Sequence, residues 1–190
     1  LFLLIPLRVP STEPKPELGL TMKVRRQAFT LIEILIVVVI LGILAAVVVP
    51  QFSSASAAAR ESTLREELRF VRSQIQAFKY QHRDVLPGYP GGDTTADPDA
   101  VSFVQQMTQY TDEACNTRSA ASATHRFGPY LTQMPVNPVS GKSGVFVAAG
   151  ASMPDPDPSQ SYGWIFNPTL EKFVPNLAGN DSTGSPYASY

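Results

Sequence analysis

One carboxylate stands where few are tolerated. Glu33 lies inside the run FTLIEILIVVVILGILAAVVV, residues 29–49, shortly after the basic residues Lys23, Arg25 and Arg26. A carboxylate toward the middle of a bilayer helix costs on the order of 2.5 to 3.5 kcal/mol, so Glu33 needs either a partner or a shallow position. Two chemistries supply one. In the first, Thr30 and Glu33 form a capping box, the Thr30 hydroxyl meeting the third amide of the helix while Glu33 reaches back to the first. In the second, the chain is cut between Ala28 and Phe29, creating an ammonium on Phe29 four residues before the carboxylate, within reach of Glu33 of the same or a neighbouring subunit. Taken alone, these residues leave both open.

The other reactive side chains offer less. Ser140-Gly141-Lys142-Ser143 ends like a phosphate-binding loop, but Val136 stands where that motif requires its first glycine, and no buried strand precedes it. His82 and His125 have no Cys or carboxylate at metal-ligand spacing and read as surface or packing residues. The single cysteine, Cys115, excludes an internal disulfide framework and reads as a structural or incidental thiol. No nucleophile and base arrangement stands out, so the chain is not read as an enzyme.

The elements around Glu33 are legible from pattern. A run of roughly 20 apolar residues rising about 1.5 Å each spans a hydrocarbon core near 30 Å, so residues 29–49 can cross a membrane. Basic residues lie before the run, while Ser53 to Ala59 is uncharged and Arg60 is offset by Glu61. The positive-inside rule then keeps the N-terminus cytoplasmic and exports the rest. Pro50 ends the run, yet QFSSASAAARESTLREELRFVRSQIQAFKYQ beyond it is rich in helix formers, with apolar residues at Leu64, Leu68, Val71, Ile75 and Phe78. Their alternating spacing of four and three marks one apolar stripe. One long helix from about Phe29 to Gln81 is expected, bent or loosened near Pro50 and Gly42. Glu61 with Arg65, and Glu66 with Arg69, are expected as ordinary surface pairs.

Beyond the helix, DVLPGYPGGDTTAD reads as a loop. A short helix follows, with Asp97 as N-cap, Pro98 in its first turn, and Val101, Val104, Met107 and Tyr110 or Phe103 facing inward. Thr111 to Arg126 shows no period and is expected to be irregular. GVFVAA (144–149), YGWIF (162–166) and KFV (172–174) are β-prone, the last two joined as a hairpin by residues 167–171. Three antiparallel strands across the helix stripe would bury Val145, Val147, Trp164, Phe166 and Phe173 against Leu68, Val71, Ile75 and Phe78. The fold class is α+β: a long N-terminal helix, its first half transmembrane, packed against a small C-terminal antiparallel sheet.

Basic residues followed by AFTLIEILIVVVILGILAAVVVPQF resemble the N-terminal signature of type IV prepilins and type II secretion pseudopilins. That pattern has a small residue before the cut, Phe at the first mature position, Glu at the fifth and Pro near the twenty-second; here these are Ala28, Phe29, Glu33 and Pro50. Ala28 departs from the preferred Gly. FGPYLTQMPVNP (127–138) loosely resembles the aromatic, proline-punctuated segment that major pseudopilins place between helix and sheet. The resemblance implies a type IV pilin-like fold, with cleavage after Ala28 and N-methylation of Phe29 by prepilin peptidase. It further implies that Glu33 serves subunit assembly, that Pro50 bends the helix, and that calcium could sit in a C-terminal loop. Asp155 and Asp157 in PDPDPSQ are the candidate ligands, a solvated rigid loop being the alternative.

The expected organisation is a leader at 1–28, a transmembrane and filament-core helix at 29–49, its amphipathic continuation at 50–81, loops with a short helix at 82–143, and a small sheet and tail at 144–190. Residues 1–21 read as an over-extended reading frame ahead of Met22. The leader holds five basic and two acidic residues, so of 15 and 16 in the whole chain the mature part keeps 10 and 14. That mild acidity argues against nucleic acid as partner. The partners implied are prepilin peptidase, copies of this chain, other pseudopilins and an inner-membrane assembly platform. The function implied is a structural subunit of a type II secretion pseudopilus, with the filament in the periplasm. The alternatives are a type IV (minor) pilin and a signal-anchored periplasmic binding protein.

Overall fold

The computed structural model describes residues 29–190; the leader, including Ala28, lies outside the described residues. The chain divides into two compact units, Leu1–Leu44 and Ala45–Tyr190. Helix α1 runs Leu31–Gln81, 51 residues, and supplies the described part of the first unit as well as the spine of the second. Gly42 and Pro50 both lie within it.

In the second unit the 4-3-4-3 stripe is buried as its spacing requires. Leu64, Leu68, Val71, Ile75 and Phe78 share one core with Val145, Val147, Trp164, Phe166 and Phe173. Fully burying each such side chain contributes roughly 1.5–3 kcal/mol, which fixes the sheet on that face of the helix. The sheet comprises β3 (Gly144–Val147), β4 (Tyr162–Asn167) and β5 (Lys172–Pro175), in the order β3-β4-β5. The hairpin β4-β5 is antiparallel as expected, its turn held by Leu170 N–H donating to Asn167 Oδ1 at 3.1 Å.

The expectation of three antiparallel strands needs correction, because β3 runs parallel to β4 and the sheet is mixed. A parallel neighbour requires a long return connection. Residues 148–161 provide it, pinned by Asn167 Nδ2 to Gly150 O and Ser152 O, both at 3.1 Å, and by Lys142 Nζ to Pro158 O at 2.6 Å. The pinning atoms are scattered through the sequence, so no local pattern announces the strand direction.

The middle segment also departs in detail. Helix α2 is Ala100–Thr108, capped by Asp99, whose carboxylate accepts from Ser102 N–H at 2.8 Å; Asp97 is not the cap. With that start, Phe103, Gln106 and Met107 turn inward while Val101 is exposed. The buried Gln106 amide holds the flanking loops together, accepting from Gly88 N–H at 2.7 Å and donating to Tyr89 O at 2.8 Å. Thr111 to Arg126 is not wholly irregular: β1 (Tyr110–Thr111) and β2 (Thr117–Arg118) pair antiparallel, and Thr111 bridges Phe127.

The 127–138 segment lies between helix and sheet. Tyr130 and Leu131 N–H both donate to Met107 O, Tyr130 Oη donates to Gln81 Oε1 at 2.6 Å, and Trp164 Nε1 donates to Pro135 O at 2.8 Å. In β4, a Cβ at Gly163 would lie 2.2 Å from Lys142 O, so only glycine allows this approach. Two expectations follow for chemical denaturation of the full chain in detergent. Phe78→Ala should cost about 3–5 kcal/mol through its cavity. Gly163→Ala should cost about 1–3 kcal/mol through backbone displacement.

Candidate functional site

The first described residues carry the chemistry singled out from sequence. Phe29 and Thr30 are non-helical and α1 begins at Leu31, so Thr30 occupies the N-cap. Thr30 Oγ1 accepts from Glu33 N–H at 3.2 Å, and Thr30 N–H donates to Glu33 Oε2 at 3.4 Å. This is the reciprocal capping box, and it places a carboxylate in the first turn, where the helix dipole favours negative charge. The same geometry holds the Glu33 carboxylate beside the backbone that follows the Ala28–Phe29 bond. Phe29 itself is 76% exposed.

Glu33 apart, the helix from Leu31 to Val49 is apolar all round and every residue is exposed, as are Gln51 and Phe52 after it. A helix apolar on every face finds its low-energy surroundings in lipid or among other apolar helices, not in water. Among the described residues, α1 is the one helix long and apolar enough to cross a membrane. Pro50 lies just past the boundary between the two units.

Residues 23–49 match the family described as the prokaryotic N-terminal methylation motif. The chain carries a prepilin-type methylation motif. Type II secretion system core protein G of Pseudomonas aeruginosa is 46% identical over 57 residues, which cover 29% of this chain and 40% of that protein. The chain thus matches less than half the length of this curated relative, over its N-terminal part. No solved structure matches the chain. Beside the motif stand one helix long and apolar enough to cross a membrane and a small mixed sheet, an α+β arrangement consistent with a pilin-like fold.

The remaining candidates lie in the head. His82 is fully buried and stacked on Phe78 with ring centroids 3.9 Å apart. Its Nδ1 donates to Phe78 O at 2.8 Å, so Nε2 accepts from the Thr111 hydroxyl at 2.9 Å. Burial holds its pKa below the ordinary value. His125 lies in a surface turn with Ser122 and Thr124. Cys115 is buried, and desolvation pushes its thiol up to about 11, away from nucleophilic chemistry at neutral pH. Ser140 ends a turn anchored by Asn137, whose Oδ1 accepts from the amides of Val139 and Ser140 and whose backbone O accepts from Gly141 N–H.

Asp157 Oδ1 accepts from Ser159 N–H at 3.0 Å and Ser159 Oγ at 2.6 Å, and its Oδ2 accepts from Gln160 Nε2 at 2.8 Å. Among the described residues no group of three or more His, Cys, Asp or Glu is placed to hold a metal ion. The Asp157 oxygens are thus turned to its own loop, while Asp155 is exposed.

Sequence reasoning missed a polar cluster at the top of the head. Glu66 and Arg69 do form an exposed pair at 2.9 Å, as expected. Glu61 and Arg65, in contrast, turn to the C-terminal loop. Glu61 is 5% exposed and accepts from Ser182 N–H, Ser182 Oγ and Tyr187 Oη, while Arg65 binds Asp181 at 2.6 Å. A signal was available, since Glu61 extends the core stripe one step, three residues before Leu64. The Ser182 hydroxyl first, with the Ser182 amide and Tyr187 hydroxyl, holds the Glu61 carboxyl below its ordinary 4.5. The Thr183 and Tyr190 hydroxyls hold Asp181 well below its ordinary 3.8.

His82, Glu61 and Asp181 all have depressed folded-state pKa values, so each contributes stability above its unfolded pKa that is lost as pH falls through the folded one. Thermal melts of the full chain, followed by Trp164 fluorescence, should show a first decline below pH 6.5 from His82 and a second below pH 4.5 from the carboxylates. His82→Gln should remove only the first.

Proposed function

We propose that this chain is a structural subunit of a type II secretion pseudopilus. The observation that carries the reading is the methylation motif at residues 23–49, together with the identity to core protein G over its N-terminal part. In this reading prepilin peptidase removes the chain up to Ala28 and methylates the Phe29 amine. The leader stays cytoplasmic, the apolar helix holds the subunit in the inner membrane, and the head lies in the periplasm. An assembly platform then draws subunits into a filament whose core is residues 29–49 of many copies, together with other pseudopilins.

Glu33 supplies register. In a single chain its carboxylate caps Thr30. In a bundle of apolar helices the Phe29 ammonium of an adjacent subunit is the stronger partner, because an ion pair in low dielectric outweighs a capping hydrogen bond. A misaligned neighbour would leave one charge unpaired in apolar surroundings, and so each subunit is set at one axial position.

Mass spectrometry of the N-terminal peptide from native membranes tests the processing step. N-methyl-Phe29 as the first residue is expected, and an intact chain upstream of Phe29 overturns the reading. Glu33→Ala should still be cleaved, with filament yield falling about tenfold or more. Undiminished filament yield would remove Glu33 from assembly.

A further inference from the structure

The C-terminal loop after β5 returns to α1 and is held there through two carboxylates. The Asp181 side chain is wholly enclosed. Its Oδ2 accepts from Arg65 Nη2 at 2.6 Å and from Tyr190 Oη, and its Oδ1 accepts from Thr183 N–H at 2.8 Å, Thr183 Oγ1 at 2.7 Å and Ser185 N–H at 2.8 Å. Glu61 Oε1 accepts from Ser182 N–H at 2.9 Å and Tyr187 Oη at 3.0 Å, and Oε2 accepts from Ser182 Oγ. A carboxylate offers about four lone-pair sites, and those of Asp181 are fully taken by N–H and O–H donors. Arg65 also lies over the Tyr190 ring, 4.7 Å from its centroid, and donates to the Tyr190 hydroxyl at 2.5 Å.

We infer that the Arg65 guanidinium is the cation that closes the C-terminal loop onto α1, so that the head holds its shape without a divalent metal ion. A metal needs the lone pairs that donors already occupy here, and binding one would break several hydrogen bonds to enclosed oxygens. The planar fork of arginine suits the task, since one side chain reaches both the carboxylate and the phenol beside it. The Asp157 loop follows the same rule with neutral donors. Arg72 adds a second tie, its Nε and Nη2 donating to Phe173 O at 3.0 and 2.7 Å and Nη2 also to Tyr190 O. This inference does not depend on the filament role.

Thermal unfolding of the full chain in detergent, read from Trp164 fluorescence in millimolar calcium chloride or in EGTA, tests it. A ligand that binds only the native state raises the midpoint, so equal midpoints within about 1 °C are expected for the wild type. Arg65→Met should lower the midpoint by on the order of 10 °C, with calcium restoring none of it. Arg65→Met with Asp181→Asn should lose less than the two single losses together, because no charge is then left unpaired. A rise of more than a few degrees with calcium in the wild type, or an unchanged midpoint in Arg65→Met, overturns the inference. Should Arg65→Met fail to fold, Arg65→Lys keeps the charge without the fork and is expected to melt between wild type and unfolded, again indifferent to calcium.

Discussion

Burial of one helix stripe underlies everything else in the head. Leu64, Leu68, Val71, Ile75 and Phe78 lie at alternating spacings of four and three on α1, and the sheet exists to cover them. A three-stranded sheet this small has little stability of its own. Trp164, Phe166 and Phe173 gain theirs by leaving water against that stripe, with Phe103 and Met107 of α2 closing the side. The order of elements follows from this requirement, since each segment after α1 returns to the same face.

The first half of α1 answers to a different solvent. From Leu31 to Val49 it has no polar face, and the chain provides nothing among its described residues to cover it. Lipid or other apolar helices satisfy such a surface equally well, which is what lets one segment serve first as an anchor and then as a filament core in the proposed function. Glu33 is the exception that gives direction to an otherwise featureless apolar rod. The capping box satisfies it at the level of one chain, so the carboxylate is tolerated before any partner is present.

Polar groups close the structure where the stripe ends. Above Leu64 the helix face turns from apolar to charged at Glu61, and the C-terminal loop meets it with hydroxyls and amides rather than with aromatic rings alone. Below Phe78 the change is milder, and the buried His82 continues the aromatic stack while spending its two nitrogens on Phe78 O and Thr111. The two ends thus bracket the core with fully partnered polar atoms, the condition under which buried polar groups stop being a cost.

The sequence by itself determined the elements whose signal is local. These are the membrane-length apolar run, the core stripe, the β4-β5 hairpin and the methylation motif. Each rests on periodicity or on residues within a few positions of one another. Only the tertiary structure decided the parallel direction of β3, the use of Asp99 in place of Asp97 as the cap of α2, and the partners of Glu61 and Arg65. Those depend on contacts between residues far apart in the chain; Arg65 and Asp181 are 116 positions apart. A charged pair four residues apart on a helix looks the same in sequence whether it faces water or a returning loop. Which it faces is set by where the chain comes back, and that is decided only when the stripe is buried.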